Sequence, residues 1–265
     1  MCTVLLRFDP RPEVAWPVLL GAIRDEFVER SWDAPAAHWA DRTDHPAWAR
    51  FVGGRDHTAG GTWLAVDPGD AAGGDGDGGA GPVIAAVLNG GRRDPLPEGQ
   101  VRPTRGDLVL RLLAGEGVPE GDALERYDRF HLVRADAGRA ELWTWDGEAM
   151  SHVELTGPHH LIVNAGLDAA DDPMVPHFAP LLAAVPDPDL SDGPDGWGGW
   201  PGLLTGDGLP GDDERALVVD KLIEDHHYGT TSAALVAIGR AGGASRLRYD
   251  FTPTPADPTT WRRIL

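Results

Sequence analysis

Met1-Cys2-Thr3-Val4-Leu5-Leu6-Arg7-Phe8 opens the chain, and Asp9-Pro10-Arg11-Pro12 closes that run with turn residues. A short apolar, β-branched segment bounded in this way reads as a strand. Val18–Ile23 is a second such run, and the two are expected to pair across the turn. Ser232–Ile238 and Ser245–Phe251, joined by Gly239–Gly243, read as two further strands at the other end of the chain. These end strands can pair with the N-terminal ones. Strands at both ends with helices between them favour one α+β layered domain over residues 1–265.

Between the ends, Trp63–Val66 and Val83–Leu88 read as strands. They are separated by Gly69–Gly81, a Gly, Ala and Asp stretch that cannot bury a core and is expected to be a flexible insertion. Asp107–Ala114 follows Thr104-Arg105-Gly106 and has helical apolar spacing, and Asp122–Arg129 reads as a short second helix. His131–Ala135, Glu141–Trp145, His152–Leu155 and His160–Val163 suit an antiparallel meander. Val175–Val185 reads as a helix despite Pro176 and Pro180. Pro186–Pro210 is rich in Pro, Gly and Asp, and Glu214–Glu224 is amphipathic with helical spacing.

The formal charge is −19, and Lys221 is the one lysine. Net negative charge argues against non-specific binding to nucleic acid or to anionic membrane. No apolar run approaches the roughly 18 residues of a membrane span. The expected partner is a small-molecule ligand or substrate, with no nucleic acid and no membrane span, and the expected location is cytoplasmic. Ten histidines include the doublets His159-His160 and His226-His227, but no HExxH or Cys/His spacing supports a metal site.

Cys2 is the one cysteine, so no intramolecular disulfide can form. Its side chain is small enough to permit removal of Met1, which would place a thiol and a free α-amine on one residue. An α-amine has an unperturbed pKa of about 7.7–8.0 and can act as a base near neutral pH. A nucleophile activated by its own terminal amine is a known device for acyl transfer. A free cysteine is more commonly a small buried hydrophobe. Ile23-Arg24-Asp25-Glu26-Phe27 is the densest polar cluster after it, at the end of the second strand. If the first two strands pair, Asp25 can reach the α-amine or orient the thiol, and Arg24 can favour thiolate.

The Met-Cys start, Phe8-Asp9-Pro10 and the Arg24-Asp25-Glu26-Phe27 block resemble the NRDE family, whose eukaryotic member is the transport and Golgi organisation 2 protein. Gly60-Gly61-Thr62-Trp63-Leu64, Leu88-Asn89, Arg105-Gly106, Asn164-Ala165 and Tyr228-Gly229-Thr230 extend the resemblance along most of the chain. The family's Asn is Ile23 here. The family is more distantly similar to N-terminal-nucleophile cysteine hydrolases of the penicillin V acylase and bile salt hydrolase kind. That similarity implies a four-layer αββα sandwich.

It also implies roles for individual residues. Cys2 would be the nucleophile and its amine the base. Asp25 would contact the nucleophile, with Arg24 close by. Asn89 would supply an oxyanion-hole main-chain N–H and Asn164 the amide side chain of that hole. Fixed donors of this type are worth about 2.7–4 kcal/mol of barrier each. Two functions follow. One is a cysteine amidohydrolase acting on a C–N amide bond, which needs no cofactor. The other is a non-catalytic carrier or chaperone for haem or an acylated metabolite, since the eukaryotic members are implicated in haem trafficking and acyl-CoA metabolism.

Overall fold

The computed structural model describes residues 2–69, 80–91, 93, 101–190, 194–241 and 244–265. The first half of the chain forms β1 (Cys2–Phe8), β2 (Val18–Phe27), β3 (Trp32–Ala36), β4 (Val52–Asp56), β5 (Leu64–Asp67) and β6 (Val83–Asn89). Helices α1 (Gly106–Leu113) and α2 (Gly121–Glu125) follow, then β7 (Phe130–Asp136), β8 (Ala140–Trp145), β9 (Met150–Glu154), β10 (His159–Val163) and β11 (Gly166–Leu167). The last third holds α3 (Met174–Ala184), α4 (Trp200–Leu203), β12 (Asp220–Ile223), β13 (His226–Ala241), β14 (Ala244–Thr252) and β15 (Arg262–Arg263).

Two antiparallel sheets form from these strands. The first runs β11-β10-β1-β2-β13-β14-β15, with β12 attached to β13; the second runs β3-β4-β5-β6-β7-β8-β9. The C-terminal strands therefore complete the sheet that the N-terminal strands begin, as their apolar patterns require.

Period-2 alternation separates the layers. In β1, Val4, Leu6 and Phe8 face Leu64, Ile84, Leu88 and Val133 of the other sheet and fill the space between the sheets. Leu5 points the opposite way, with Leu19, Leu161 and Val163, onto Met174 and Phe178 of α3 and Trp200 of α4. On the far side of the second sheet, Ala65, Ala85 and Leu132 pack against Leu108, Leu112 and the buried Trp39 and Trp48. Three stacked apolar clusters give four layers, the αββα sandwich. Each fully buried Leu or Ile contributes about 1.5–3 kcal/mol through its removal from water.

Several elements differ from their sequence readings. β7, β8 and β9 form the expected meander, but β10 leaves it and pairs with β1 in the other sheet. The run Glu214–Glu224 is no helix. Its end, β12, pairs with β13 through a tight turn in which Glu224 and Asp225 take φ values of 49° and 65°. The strands β3 and β4 went unread because Pro35, Gly53 and Gly54 have low strand propensity. Glycine is nevertheless required in β4: a Cβ at Gly53 would lie 2.5 Å from the Leu64 carbonyl oxygen, and one at Gly54 2.2 Å from the Trp63 ring.

α2 ends at Glu125, short of the expected Arg129. The Pro186–Pro210 stretch is anchored by Trp197 and Trp200, both buried. Residues 70–79 of the expected insertion lie outside the described residues. Its ends meet, since a Cβ at Gly69 would lie 2.5 Å from the Ala80 carbonyl oxygen. No helix among the described residues is long and apolar enough to cross a membrane.

Candidate functional site

β1 and β2 pair in a register that sets Cys2 opposite Arg24. Residues opposite one another in a ladder share a face, so both side chains turn into the space between the sheets, above Val4 and Ala22. Arg24 is buried, and three groups fix its guanidinium. Asp56 at the end of β4 lies 3.2 Å from Nη2, the Thr231 hydroxyl accepts from Nη1 at 2.8 Å, and the Trp63 ring lies beneath at 4.5 Å. A guanidinium over an indole face is a favourable cation–π arrangement. Asp56 also accepts from Arg30 Nε at 2.6 Å and from the Ala59 N–H at 2.8 Å. The carboxylate thereby carries both arginines.

Asp25 points to the other face of β2 and is served by a bulge in β13. The pairing of β13 with β2 slips between Thr230 and Ser232, leaving Thr231 as the extra residue. Bulges re-aim side chains in this way. Thr230 donates its hydroxyl to Asp25 Oδ1 at 2.6 Å, while its neighbour Thr231 serves Arg24 on the opposite face. The Thr230 oxygen also accepts the Val219 N–H at 2.8 Å, so its proton is committed to Asp25.

Asn164 reaches the same point from the end of β10. Its Oδ1 accepts the backbone N–H of Cys2 at 3.2 Å. Two residues 162 positions apart are thus joined at the nitrogen that would become the terminal amine if Met1 were removed. Behind Asn164, the buried His131 on β7 sits 3.1 Å from the Asn164 carbonyl oxygen through Nε2 and 3.0 Å from the Thr144 hydroxyl through Nδ1.

A cavity of about 320 Å3 opens between the sheet ends, lined by Cys2, Arg24, Asp25 and Asn89 among others. Four of the five residues singled out in the sequence share its wall. The fifth, Asn164, touches Cys2 directly. Asn89 is the last residue of β6, placed there by its pairing with Phe130. The opposite wall is the junction of the Gly60-Gly61-Thr62-Trp63 segment with the start of α1. A Cβ on Gly61 would lie 2.5 Å from the Gly106 carbonyl carbon, and one on Gly106 2.8 Å from the Thr62 nitrogen. Both glycines serve close backbone approach. Arg102, paired with Asp128 at 3.0 Å, and Arg105 stand at the rim.

Burial dominates the electrostatics. It pushes the Cys2 thiol up, outweighing the Asp25 backbone N–H and the Arg24 charge, which both favour thiolate. It likewise raises Asp25 to about 6, against the Thr230 hydrogen bond that favours the carboxylate. Burial lowers His131, so its imidazole is neutral at pH 7. Because a carbonyl oxygen only accepts, Nε2 of that ring carries the proton and Nδ1 accepts from Thr144.

Sequence reasoning missed Asp56, Arg30, Thr231 and His131. Thr230 stood in a quoted motif without a role. No local pattern marks the others, because Asp56, Thr231 and His131 act from strands, and Arg30 from the turn after β2, whose neighbours are set by the fold. Among the described residues, no group of three or more His, Cys, Asp or Glu side chains is arranged to hold a metal ion.

Ile23, where the NRDE family has Asn, is buried on the outer face of β2 among Leu5, Leu161 and Val163. That position packs the outer layer and points away from the cavity. No curated protein matches the chain with significant similarity. The family model described as Transport and Golgi organisation 2 matches residues 1–177, which include Cys2, Arg24, Asp25, Asn89 and Asn164. With two thirds of its length matched, the chain belongs to the Transport and Golgi organisation 2 family.

Proposed function

We propose that the chain is a cysteine amidohydrolase of the N-terminal-nucleophile type, acting on the C–N amide bond of a small molecule. The observation that carries this reading is the 3.2 Å hydrogen bond from the Cys2 nitrogen to Asn164 Oδ1, at the edge of a cavity that Cys2 itself lines. Removal of Met1 would convert that nitrogen to an amine already held in place. The amine takes the thiol proton, and sulfur attacks the amide carbon. Negative charge then develops on the carbonyl oxygen, facing Asn89 and Asn164. The ammonium returns its proton to the leaving nitrogen as the C–N bond breaks. Water, deprotonated by the same amine, then cleaves the thioester.

The cavity volume lies at the small end of ligand pockets, which suits a compact acyl group. Arg24 shares the face of Cys2, and Arg24 and Asp25 both line the cavity, so the pocket carries a charge of each sign near the reacting sulfur. The test is the intact mass of protein from its native host, followed by turnover of a panel of simple amides. A mass without the initiator methionine, and turnover lost in Cys2→Ser, are expected. Retained Met1, or turnover undiminished in Cys2→Ser, overturns the reading.

A carrier function has one observation in its favour: burial raises the Cys2 thiol, which keeps it protonated and unreactive while its nitrogen is a peptide nitrogen. Trp63 and Val87 then offer apolar wall, and the rim arginines offer charge, to an acylated metabolite. Haem fits less well. Of the side chains that commonly hold haem iron, the described cavity lining offers only the Cys2 thiol.

A further inference from the structure

Asn164 sits on a two-residue turn, Asn164-Ala165, between Val163 of β10 and Gly166 of β11. β11 is the edge of its sheet, and β10 and β11 share only two residue pairs. Asp168 clamps the base of this hairpin, accepting the Leu161 N–H at 2.8 Å and lying 2.9 Å from His160 Nδ1, but these bonds hold its far end and not Asn164. Yet the turn presents the oxygen that holds the Cys2 nitrogen.

The opposite sheet supplies the restraint. His131 lies on the inward face of β7 and is buried, and its ring crosses the gap between the sheets to the Asn164 carbonyl oxygen at 3.1 Å. Thr144 stands directly opposite His131 on β8 and fixes the ring from behind at 3.0 Å. Gly166 takes φ 128°, and a Cβ there would lie 3.8 Å from His131 Cε1. Any larger residue would thus touch the ring, and glycine suits the backbone conformation the turn takes.

We infer that His131 is a positioning residue: it acts through the Asn164 main chain to hold Oδ1 against the nitrogen of Cys2. The inference rests on the reading of Cys2 as the reacting residue, but the contact it describes exists whether or not the protein turns over a substrate. Thr144, His131 and Asn164 form a chain of hydrogen bonds running from the second sheet to the first residue of β1. Only the last link touches Cys2. A side chain that acts solely through another leaves a specific signature, because removing both costs no more than removing one.

The experiment uses the full chain as encoded and two readouts that need no turnover: hydrogen exchange of the Asn164–Gly166 amides and the rate of Cys2 alkylation by iodoacetamide. His131→Leu is expected to speed turn exchange and to speed alkylation about fivefold, because the start of β1 frays and its half-buried thiol becomes more accessible. Asn164→Ala is expected to speed alkylation by the same factor, and the double variant no more than either. His131→Gln, whose amide can donate the same bond, is expected to return both readouts to within about twofold of wild type. Multiplying effects in the double variant, or unchanged exchange in His131→Leu, overturn the inference. If His131→Leu does not fold, Thr144→Val carries the test, with a smaller change in the same direction expected and no change overturning it. Coupled alkylation in a trimmed protein without amidase activity would sink the hydrolase reading alone. Uncoupled alkylation in an active enzyme would sink this inference alone.

Discussion

Replacing Asp25 by Asn is expected to make the fold progressively more stable, relative to wild type, as the pH is raised from 4 to 8. The carboxyl is buried, and its pKa rises from 3.8 to about 6. The native state therefore holds the proton more tightly than the unfolded chain does. Below about pH 3.8 both states are protonated and the contribution is whole. Between there and about pH 6 the unfolded chain ionises first, and stability is lost as the pH rises. Above that, both states are ionised and the native state carries the full cost of a buried charge. At about 1.36 kcal/mol per unit, the shift corresponds to about 3 kcal/mol. Urea denaturation of both proteins at a series of pH values, followed by tryptophan fluorescence, reads this directly, because groups common to both cancel in the difference. Thr230→Val removes the hydroxyl that favours the carboxylate, so its own loss of stability should be completed at higher pH than in wild type. A difference between Asp25→Asn and wild type that stays flat from pH 4 to 8, or that shrinks as the pH rises, refutes the assignment of burial as the dominant effect.

Gly61→Ala should destabilise the fold by about 1–3 kcal/mol, since the new Cβ meets Gly106 backbone at 2.5 Å and neither segment is a flexible side-chain tip; chemical denaturation showing no loss would mean the junction can part. Arg248→Met should cost about 3–5 kcal/mol, because Asp250 stays buried after losing a partner at 2.7 Å and keeps the single neutral bond from the Trp197 indole N–H at 2.8 Å among the described residues; a midpoint within error of wild type would contradict this. Ile23→Asn restores the residue type of the family's name-giving block but puts an amide among Leu5, Leu161 and Val163. A loss of about 2–5 kcal/mol is expected from the lost apolar contact and the buried amide, and a neutral or stabilising result would mean that this position does not face the outer layer.

β1 and β2 were legible because a short apolar run between turn residues admits few other readings, and their pairing brought Cys2 beside Arg24. Asn89 and Asn164 were marked by resemblance; Asn89 ends β6 at the cavity wall, and Asn164 follows β10 and touches Cys2. Glu214–Glu224 misled because its apolar spacing suits a helix, whereas Asp220–Ile223 finds a ladder partner in His226–Gly229. The hairpin turn there is Glu-Asp, lacking the Asn-Gly signal that would have announced it. β4 was hidden by the glycines that let it approach Leu64 and Trp63.

Local pattern alone therefore determined the α+β class, the first two strands and the position of a lone cysteine at a strand start, because a short apolar run between turn residues is recognised from neighbouring residues alone; the four layers were implied by resemblance. Partner choice between strands was beyond local pattern. β10 looks like the fourth strand of a meander, yet it crosses to β1, and that crossing carries Asn164 to Cys2 and lets His131 reach it from the other sheet. The bulge at Thr231, which splits two neighbouring threonines between Arg24 and Asp25, likewise exists only once β13 lies against β2. Hydrogen bonds between segments more than a hundred residues apart are set by the packing of whole sheets, and no window of sequence contains both partners.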